Sequence, residues 1–374
     1  MNIDRREFIG GACAAAAMPL TGLGAAKPTD KMIWSALLHL GGNMWDDYPG
    51  DFDALPKSRE EELKRPNPIG PGGKRRSFCR GYVRAIDKVW KHTVDHAAEK
   101  KLNLVFVDCG EAVAYPSHPE LAVPGTWSVE KVRAELKRMR KLGLEPVPKC
   151  NFSTTHDVWL KDYHRMVSTK KYYQVVADII KDVCEIFDHP RYFHLGMDEE
   201  TTEMQFNHYH KCARSGELFW HDLNFMVDKV ERQGSRAVVF TDLMATWHDE
   251  WIRRMSKSVL QSNWYYGKDY SEKAMTWDPK GKPKLPMLFT ELEKAGFDQL
   301  PCLSNISERE NVSIGVNALT KVIDPDRLKG FCVAPWGMSF PDHWDIFDDG
   351  GKWLYETRTI IGLDALAEAR DALK

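Results

Sequence analysis

Long apolar runs are missing from this chain. The longest weakly hydrophobic stretch, residues 9–26, is broken by glycines and too short for a bilayer, so stable membrane insertion is not expected. An excess of one charge is missing too. Against 54 acidic side chains stand 52 basic ones, the formal charge is -2, and no basic run could line a nucleic-acid groove. The two dense basic spots, Lys74-Arg75-Arg76 and the helical face from Arg133 to Lys141, read as solvated surface. The eight cysteines include no C-x-x-C pair and no Cys/His cluster, which argues against structural zinc. No G-x-G-x-x-G loop follows the first strand-like run; Gly41-Gly42-Asn43 does not match it. Internal repeats and low-complexity linkers are also absent, so a single domain is the economical reading. Tryptophan, by contrast, is plentiful. Thirteen occur in 374 residues, and indole faces suit both a large core and stacking on sugar rings.

The N-terminus reads as an address. Arg5-Arg6-Glu7-Phe8-Ile9 is similar to a twin-arginine export signal, and the weakly apolar stretch behind it ends in small residues suited to a signal peptidase. Residues 1–26 are therefore expected to be removed. The mature chain, 27–374, would work in the periplasm or outside the cell, with the twin-arginine machinery as a transient partner. Cys13 follows Gly-Gly-Ala without the leucine of a lipoprotein site. Seven cysteines remain after it, widely spaced. Because that export route carries folded proteins, free buried thiols are expected and a disulfide framework is not.

Apolar runs alternate with amphipathic helical stretches through the rest of the sequence, the pattern of repeated βα units. Eight strands are predicted at 32–40, 102–109, 145–152, 192–197, 237–243, 258–264, 299–305 and 330–336. Helices are predicted at 82–100, after Ser128, at 172–187 and at 351–372. Eight such units favour an α/β fold of the (β/α)8 TIM-barrel type, for which about 250 residues suffice. A proline- and glycine-rich insertion at 43–78 follows strand 1, on the face where barrels carry their active sites; it suits a lid and a surface excursion equally.

Listing what these strand ends present gives His39, Asn43, Asp108, Glu111, Lys149, Asn151, His156, Asp198, Glu199 and Glu200. The later strands add Asp242, Trp247, Trp264, Tyr265, Tyr266, Asn305 and Trp336. That rim is carboxylate-rich and aromatic, a composition suited to a neutral, hydroxyl-rich molecule. Its sharpest element is the end of strand 4, Tyr192-Phe193-His194-Leu195-Gly196-Met197-Asp198-Glu199. Adjacent carboxylates are costly unless partnered or unless one has a raised pKa, and a raised carboxyl beside an ionised one is a general acid. The alternative reading is that Asp198 and Glu200 only cap a following helix.

His194-Leu195-Gly196-Met197-Asp198-Glu199 resembles the H-x-G-G-D-E signature of glycoside hydrolase family 20, the β-N-acetylhexosaminidases, which also lies at the end of barrel strand 4. The resemblance implies an exported hydrolase of a β-linked sugar such as an N-acetylhexosamine, acting on an oligosaccharide or glycan without a cofactor. Glu199 would protonate the leaving oxygen. Asp198 would orient the substrate's own 2-acetamido group, whose carbonyl oxygen attacks the anomeric carbon with net retention. Asp242 matches the family's segment after strand 5, while Trp264 and Trp336 match tryptophans that line the sugar pocket. His156 matches a histidine after strand 3, and His194 opens the signature itself. Departures accompany these matches. Met197 stands for the second glycine, strand 1 carries no arginine, and Gly337-Met338 stands where a glutamate is common. Strand 7 ends Ser304-Asn305 without a tyrosine, so Asn305 or Tyr265 would have to hold the acetamido group.

Three other readings stay open. A non-catalytic carbohydrate-binding barrel would keep the tryptophans and have no use for the acid. A barrel glycosidase with a protein nucleophile needs a carboxylate beyond strand 7, where Glu291, Glu293 and Asp298 are poorly placed. A metal-dependent barrel hydrolase or isomerase needs converging His and carboxylate ligands; strand 1 supplies only His39, and His208-Tyr209-His210 reads as a surface feature. No metal is expected.

Overall fold

The computed structural model describes residues 32–42, 81–206, 208–281, 283–336 and 358–373. The expected signal peptide and the 43–78 insertion lie outside them. Eight parallel strands run β1 (Ile33–His39), β2 (Leu104–Asp108), β3 (Glu145–Lys149), β4 (Tyr192–His194), β5 (Arg236–Phe240), β6 (Leu260–Ser262), β7 (Cys302–Leu303) and β8 (Gly330–Val333). Their ladder order is β6-β5-β4-β3-β2-β1-β8-β7. Parallel bridges Gln261–Gln299 and Trp264–Cys302 join the two ends, with Leu300 N–H donating to Gln261 (2.8 Å) and Cys302 N–H to Asn263 (2.9 Å). The sheet closes into the expected (β/α)8 barrel.

Side-chain alternation sorts the strands into two apolar layers. Ile33, Leu37, Leu104, Phe106, Val147, Val238, Phe240 and Leu260 fill the barrel interior. Trp34, Ala36, Leu38, Val105 and Val107 face outward to the helices. Those helices form for legible reasons. In α2 (Val129–Lys141), counted after α1 (Asp87–Glu99), Ser128 Oγ accepts the Lys131 N–H, Glu130 opens the helix, and Arg138, Arg140 and Lys141 close it. Val132, Leu136 and Met139 form its buried stripe. In α3 (Lys170–Ile186), Thr169 provides the cap and Val175, Val176, Ile179, Ile180 and Val183 the buried face. Five more helices follow: α4 (Gly216–Arg232), α5 (His248–Arg254), α6 (Glu272–Met275), α7 (Leu285–Lys294) and α8 (Glu310–Val322). The described part of the expected last helix is α9 (Arg358–Asp371). Cys109, Cys150, Cys184, Cys302 and Cys332 are buried free thiols, and Cys212 is a half-buried one.

The seam between β3 and β4 is the thin part of the ladder. Pro146 and Pro148 have no N–H to donate, and the two strands share one register pair, Lys149 with His194. Pairing recovers just above, where Cys150 N–H donates to His194 and Phe152 N–H to Leu195, both at 3.0 Å. The side chain of Asn151 completes it. Its Oδ1 accepts N–H groups from Ser153 (3.1 Å) and Met197 (3.2 Å), and its Nδ2 donates to Asp198 Oδ1 (2.8 Å). The carboxamide takes the space a side chain at 196 would need: a Cβ on Gly196 would lie 2.0 Å from Asn151 Oδ1, and φ there is +72°.

A matched pair of substitutions tests this. Gly143 also has positive φ (+85°), but a Cβ there meets nothing within 4 Å. Gly143→Ala should therefore cost only the left-handed strain, about 1–2 kcal/mol. Gly196→Ala also breaks the Asn151 contacts, worth about 1 kcal/mol each, and should cost about 3 kcal/mol or more in urea denaturation. Equal losses would mean that the carboxamide does not hold the seam.

Candidate active site

The strand ends deliver their polar side chains to one mouth. His39, Asp108 and Lys149 form a buried chain across β1, β2 and β3, with Lys149 Nζ 2.5 Å and His39 Nδ1 3.3 Å from Asp108 Oδ2. Burial alone would raise the Asp108 pKa, but Lys149 and His39 hold it below the usual carboxylate range. His194, from β4, accepts the Gly196 N–H at Nδ1 (3.0 Å) and packs against Phe106 and Phe240. Burial and the nearby Lys149 push its pKa down to about 3, so at neutral pH the ring is uncharged, with its proton on Nε2.

At the tip of β4, Asp198 and Glu199 meet His156 from the loop after β3. His156 Nδ1 lies 3.4 Å from Asp198 Oδ1, and Nε2 lies 3.4 Å from Glu199 Oε2. Burial by itself would lower the His156 pKa, yet the flanking carboxylates overcome it and raise it to about 10. The ring is an imidazolium between two carboxylates. Burial would likewise raise Asp198, but His156, Lys149 and Asn151 hold it well below the ordinary value. The Glu199 side chain keeps 27% of its surface exposed against 8% for Asp198, so one carboxylate is fixed while its neighbour reaches toward solvent. Asp242, just beyond β5, accepts the Glu199 N–H at Oδ2 (2.9 Å). Its pKa is pushed up to about 8, first by burial and then by the Asp198 charge.

Trp264 and Trp336 pack against the interior layer and wall the mouth together with Tyr266. Tyr266 stacks on Trp264 at 5.1 Å and meets Trp336 edge-on at 6.3 Å, while His39 lies 5.4 Å from Trp336. Of the residues expected at the site, His156, His194, Asp198, Glu199, Asp242, Trp264 and Trp336 are thus brought together. Two are not. Tyr265 points outward and packs edge-on against Tyr270 (5.3 Å), because it is one residue out of phase with inward-facing Trp264. Asn305 Nδ2 donates to the Arg358 carbonyl (2.8 Å) and so ties β7 to α9. Tyr266, one residue further on, is the aromatic that meets Trp264 and Trp336. Trp247 packs on Phe219 (4.9 Å), on the helix side.

Glu200 has a different job from its neighbours. It is buried, accepts the Thr154 N–H and hydroxyl, and pairs with buried Arg214 (2.9 Å), which binds the loops after β3 and β4 together. Among the described residues no helix directly follows to be capped; α4 starts at Gly216. Glu291 is engaged by His248 (3.1 Å) and Lys294 (2.7 Å), and Asp298 by Arg236 (2.8 Å) and Lys329 (3.2 Å). His208 is buried against His164, ring centres 6.4 Å apart, whereas His210 is exposed.

Among the described residues, His156, Asp198 and Glu199 have ligand atoms close enough to share a metal ion. The fit is poor. His156 turns a different nitrogen to each carboxylate, and an ion would have to displace a proton held with a pKa of about 10. Several buried polar atoms around the mouth have no partner among the described residues: Asp108 Oδ1, His194 Nε2, Asp242 Oδ1 and Trp264 Nε1.

No protein-family model matches the chain, and no curated protein matches it in sequence. Solved structures match its fold. A β-N-acetylhexosaminidase from Bacteroides fragilis NCTC 9343 superposes with a TM-score of 0.55 at 12% identity, over 91% of this chain and 65% of that one. The family 20 β-N-acetylhexosaminidase from Streptomyces coelicolor A3(2) gives 0.53 at 12%, over 90% and 64%. The Streptomyces plicatus N-acetyl-β-hexosaminidase, in complex with thio-NAglucal, gives 0.53 at 13%, over 90% and 64%. The chain thus spans 64–65% of the length of these proteins and shares their barrel fold.

The imidazolium is directly testable. By nitrogen-detected NMR, His156 should stay protonated at pH 8, and Asp198→Asn should lower its pKa. The stability it confers is complete below its ordinary value of 6.5 and fades as pH rises toward about 10. A neutral ring at pH 8 would overturn this account of the site.

Proposed function

We propose that the chain is a glycoside hydrolase acting on a β-linked sugar, with Glu199 as general acid. The observation that carries this reading is the unequal carboxylate pair on the His156 bridge: Asp198 buried and held ionised, Glu199 partly exposed. A fixed negative charge beside a solvent-reaching carboxyl group that can take up and give a proton is what cleavage of a glycosidic bond uses. The tryptophan and tyrosine wall and the orphaned polar atoms support a hydroxylated ring as the ligand. The fold shared with β-N-acetylhexosaminidases supports a 2-acetamido sugar, its amide N–H received by Asp198 and its carbonyl oxygen acting as the nucleophile. Tyr266, stacked on Trp264 and near Trp336, replaces Tyr265 and Asn305 in this scheme as the neighbour of that group. A protein nucleophile at Glu291 is disfavoured by its pairing with His248 and Lys294.

Glu199→Gln should lower turnover of an unactivated glycoside by about 10²–10⁴-fold, the usual worth of a general acid, with the fold intact by circular dichroism. Half of wild-type activity in that variant would remove Glu199 from the role. Aryl glycosides with and without the 2-acetamido group decide the substrate class, and NMR of the first-formed product decides the stereochemistry. Retention is expected; inversion would transfer the second role to a protein carboxylate such as Asp242. Sugar binding without turnover would identify the carbohydrate-binding alternative, and activity lost on chelation the metal-dependent one.

Export by the twin-arginine route belongs to the same proposal. Lysines at Arg5 and Arg6 should leave unprocessed chain in the cytoplasm of the host. Undiminished mature protein in the periplasm would exclude that route.

A further inference from the structure

Glu199 sits on an uncommon backbone. Its φ is +57°, in the left-handed region that costs a residue with a side chain about 1–2 kcal/mol. Such a conformation persists only where the surroundings hold it. Two side chains from different strands do so. The Glu199 N–H donates to Asp242 Oδ2 at 2.9 Å, from the end of β5. The Glu199 carbonyl accepts the Thr155 hydroxyl at 2.7 Å, from the loop after β3, and also the Thr201 N–H at 2.6 Å. Thr155 is itself buried, and its N–H donates to Ser153 Oγ at 3.3 Å. It immediately precedes His156, whose Nε2 faces the Glu199 carboxylate. The residue is therefore held at its donor, its acceptor and its charge, by groups from both flanking strands.

We infer that Asp242 and Thr155 are positioning residues, a two-sided backbone clamp that fixes the left-handed turn at Glu199 and so sets where its carboxyl points. The clamp rests on the reading of Glu199 as proton donor. It gives Asp242 a different part from the substrate contact expected of it: Asp242 acts through Glu199. Thr155 gains a part that its sequence position did not suggest. A misplacement of about 1 Å in a catalytic group can cost about 100-fold in rate, so loosening either jaw should show in kcat.

The test compares Asp242→Ala, Asp242→Asn, Thr155→Val and Thr155→Ser, each alone and combined with Glu199→Gln, on the aryl glycoside that the wild type turns over. Alanine at 242 and valine at 155 should each lower kcat about 100-fold with KM within threefold. Asparagine and serine keep an acceptor and a donor in place and should recover most of that loss. Combined with Glu199→Gln, none should fall further than Glu199→Gln alone, since residues that act as a unit are not additive. A raised KM with kcat intact, or additive losses, would overturn the clamp. Should Asp242→Ala fail to fold, the Thr155 pair carries the same test from the other jaw. Crystal structures of Asp242→Ala and Thr155→Val separate the clamp from the function. Glu199 should leave the left-handed region in them even if the wild type proves to hydrolyse no glycoside; an unchanged backbone in both would sink the clamp.

Discussion

The carboxamide of Asn151 does the work of a missing stretch of β-ladder. Two prolines in β3 and the brevity of β4 leave these neighbouring strands joined mainly at their upper ends, where the side-chain amide takes up two backbone N–H groups and donates to Asp198. That one planar group sets the distance between the loop that carries His156 and the loop that carries Glu199. It also dictates a glycine at 196, because its oxygen and carbon occupy the space of a Cβ there. The contact is short-range and directional, and the rest of the mouth is built outward from it.

Electrostatics then sorts the groups that this joint brings together. Several carboxylates share a cleft where water is scarce, and unpaired charge there would be ruinous. Lys149 neutralises Asp108, His156 serves Asp198 and Glu199, and Arg214 serves Glu200 and Asp222. Asp242 pairs with no cation among the described residues and is instead held in its neutral form up to about pH 8. Ionised and neutral acids thus stand side by side, and the difference between them follows from partners contributed by separate strands. Neighbouring residues in sequence can consequently differ completely in role, as Glu199 at the mouth and Glu200 deep in the Arg214 pair illustrate.

The barrel was legible because strand-like segments recur with amphipathic helical stretches between them; all eight strands overlap the predicted ones, even β3, which carries two prolines, and β6, which reads Leu260-Gln261-Ser262. The polar ends were legible as a set and less so one by one. Strand parity decides whether a side chain enters the barrel, and a single step separates outward-facing Tyr265 from Tyr266 in the wall. Asn305 looked like a ligand-facing amide, yet its partner is the Arg358 carbonyl, 53 positions away, which no local pattern announces. The Asn151 bridge and the Thr155 contact were hidden for the same reason: both are made by the loop after β3 reaching the tip of β4.

Met197 stands where the resembling signature has glycine, and the backbone there keeps the glycine-like φ of +72°; Glu199 and Trp336 share the left-handed habit at +57° and +52°. Left-handed backbone at side-chain-bearing residues costs stability, and three of the described positions that carry it, Met197, Glu199 and Trp336, lie at the mouth. Selection for heat resistance alone would erase it first, by drifting toward glycine or asparagine at these positions or by relaxing the turns. A laboratory lineage evolved only for melting temperature should therefore lose its working geometry at the mouth long before the barrel beneath it changes.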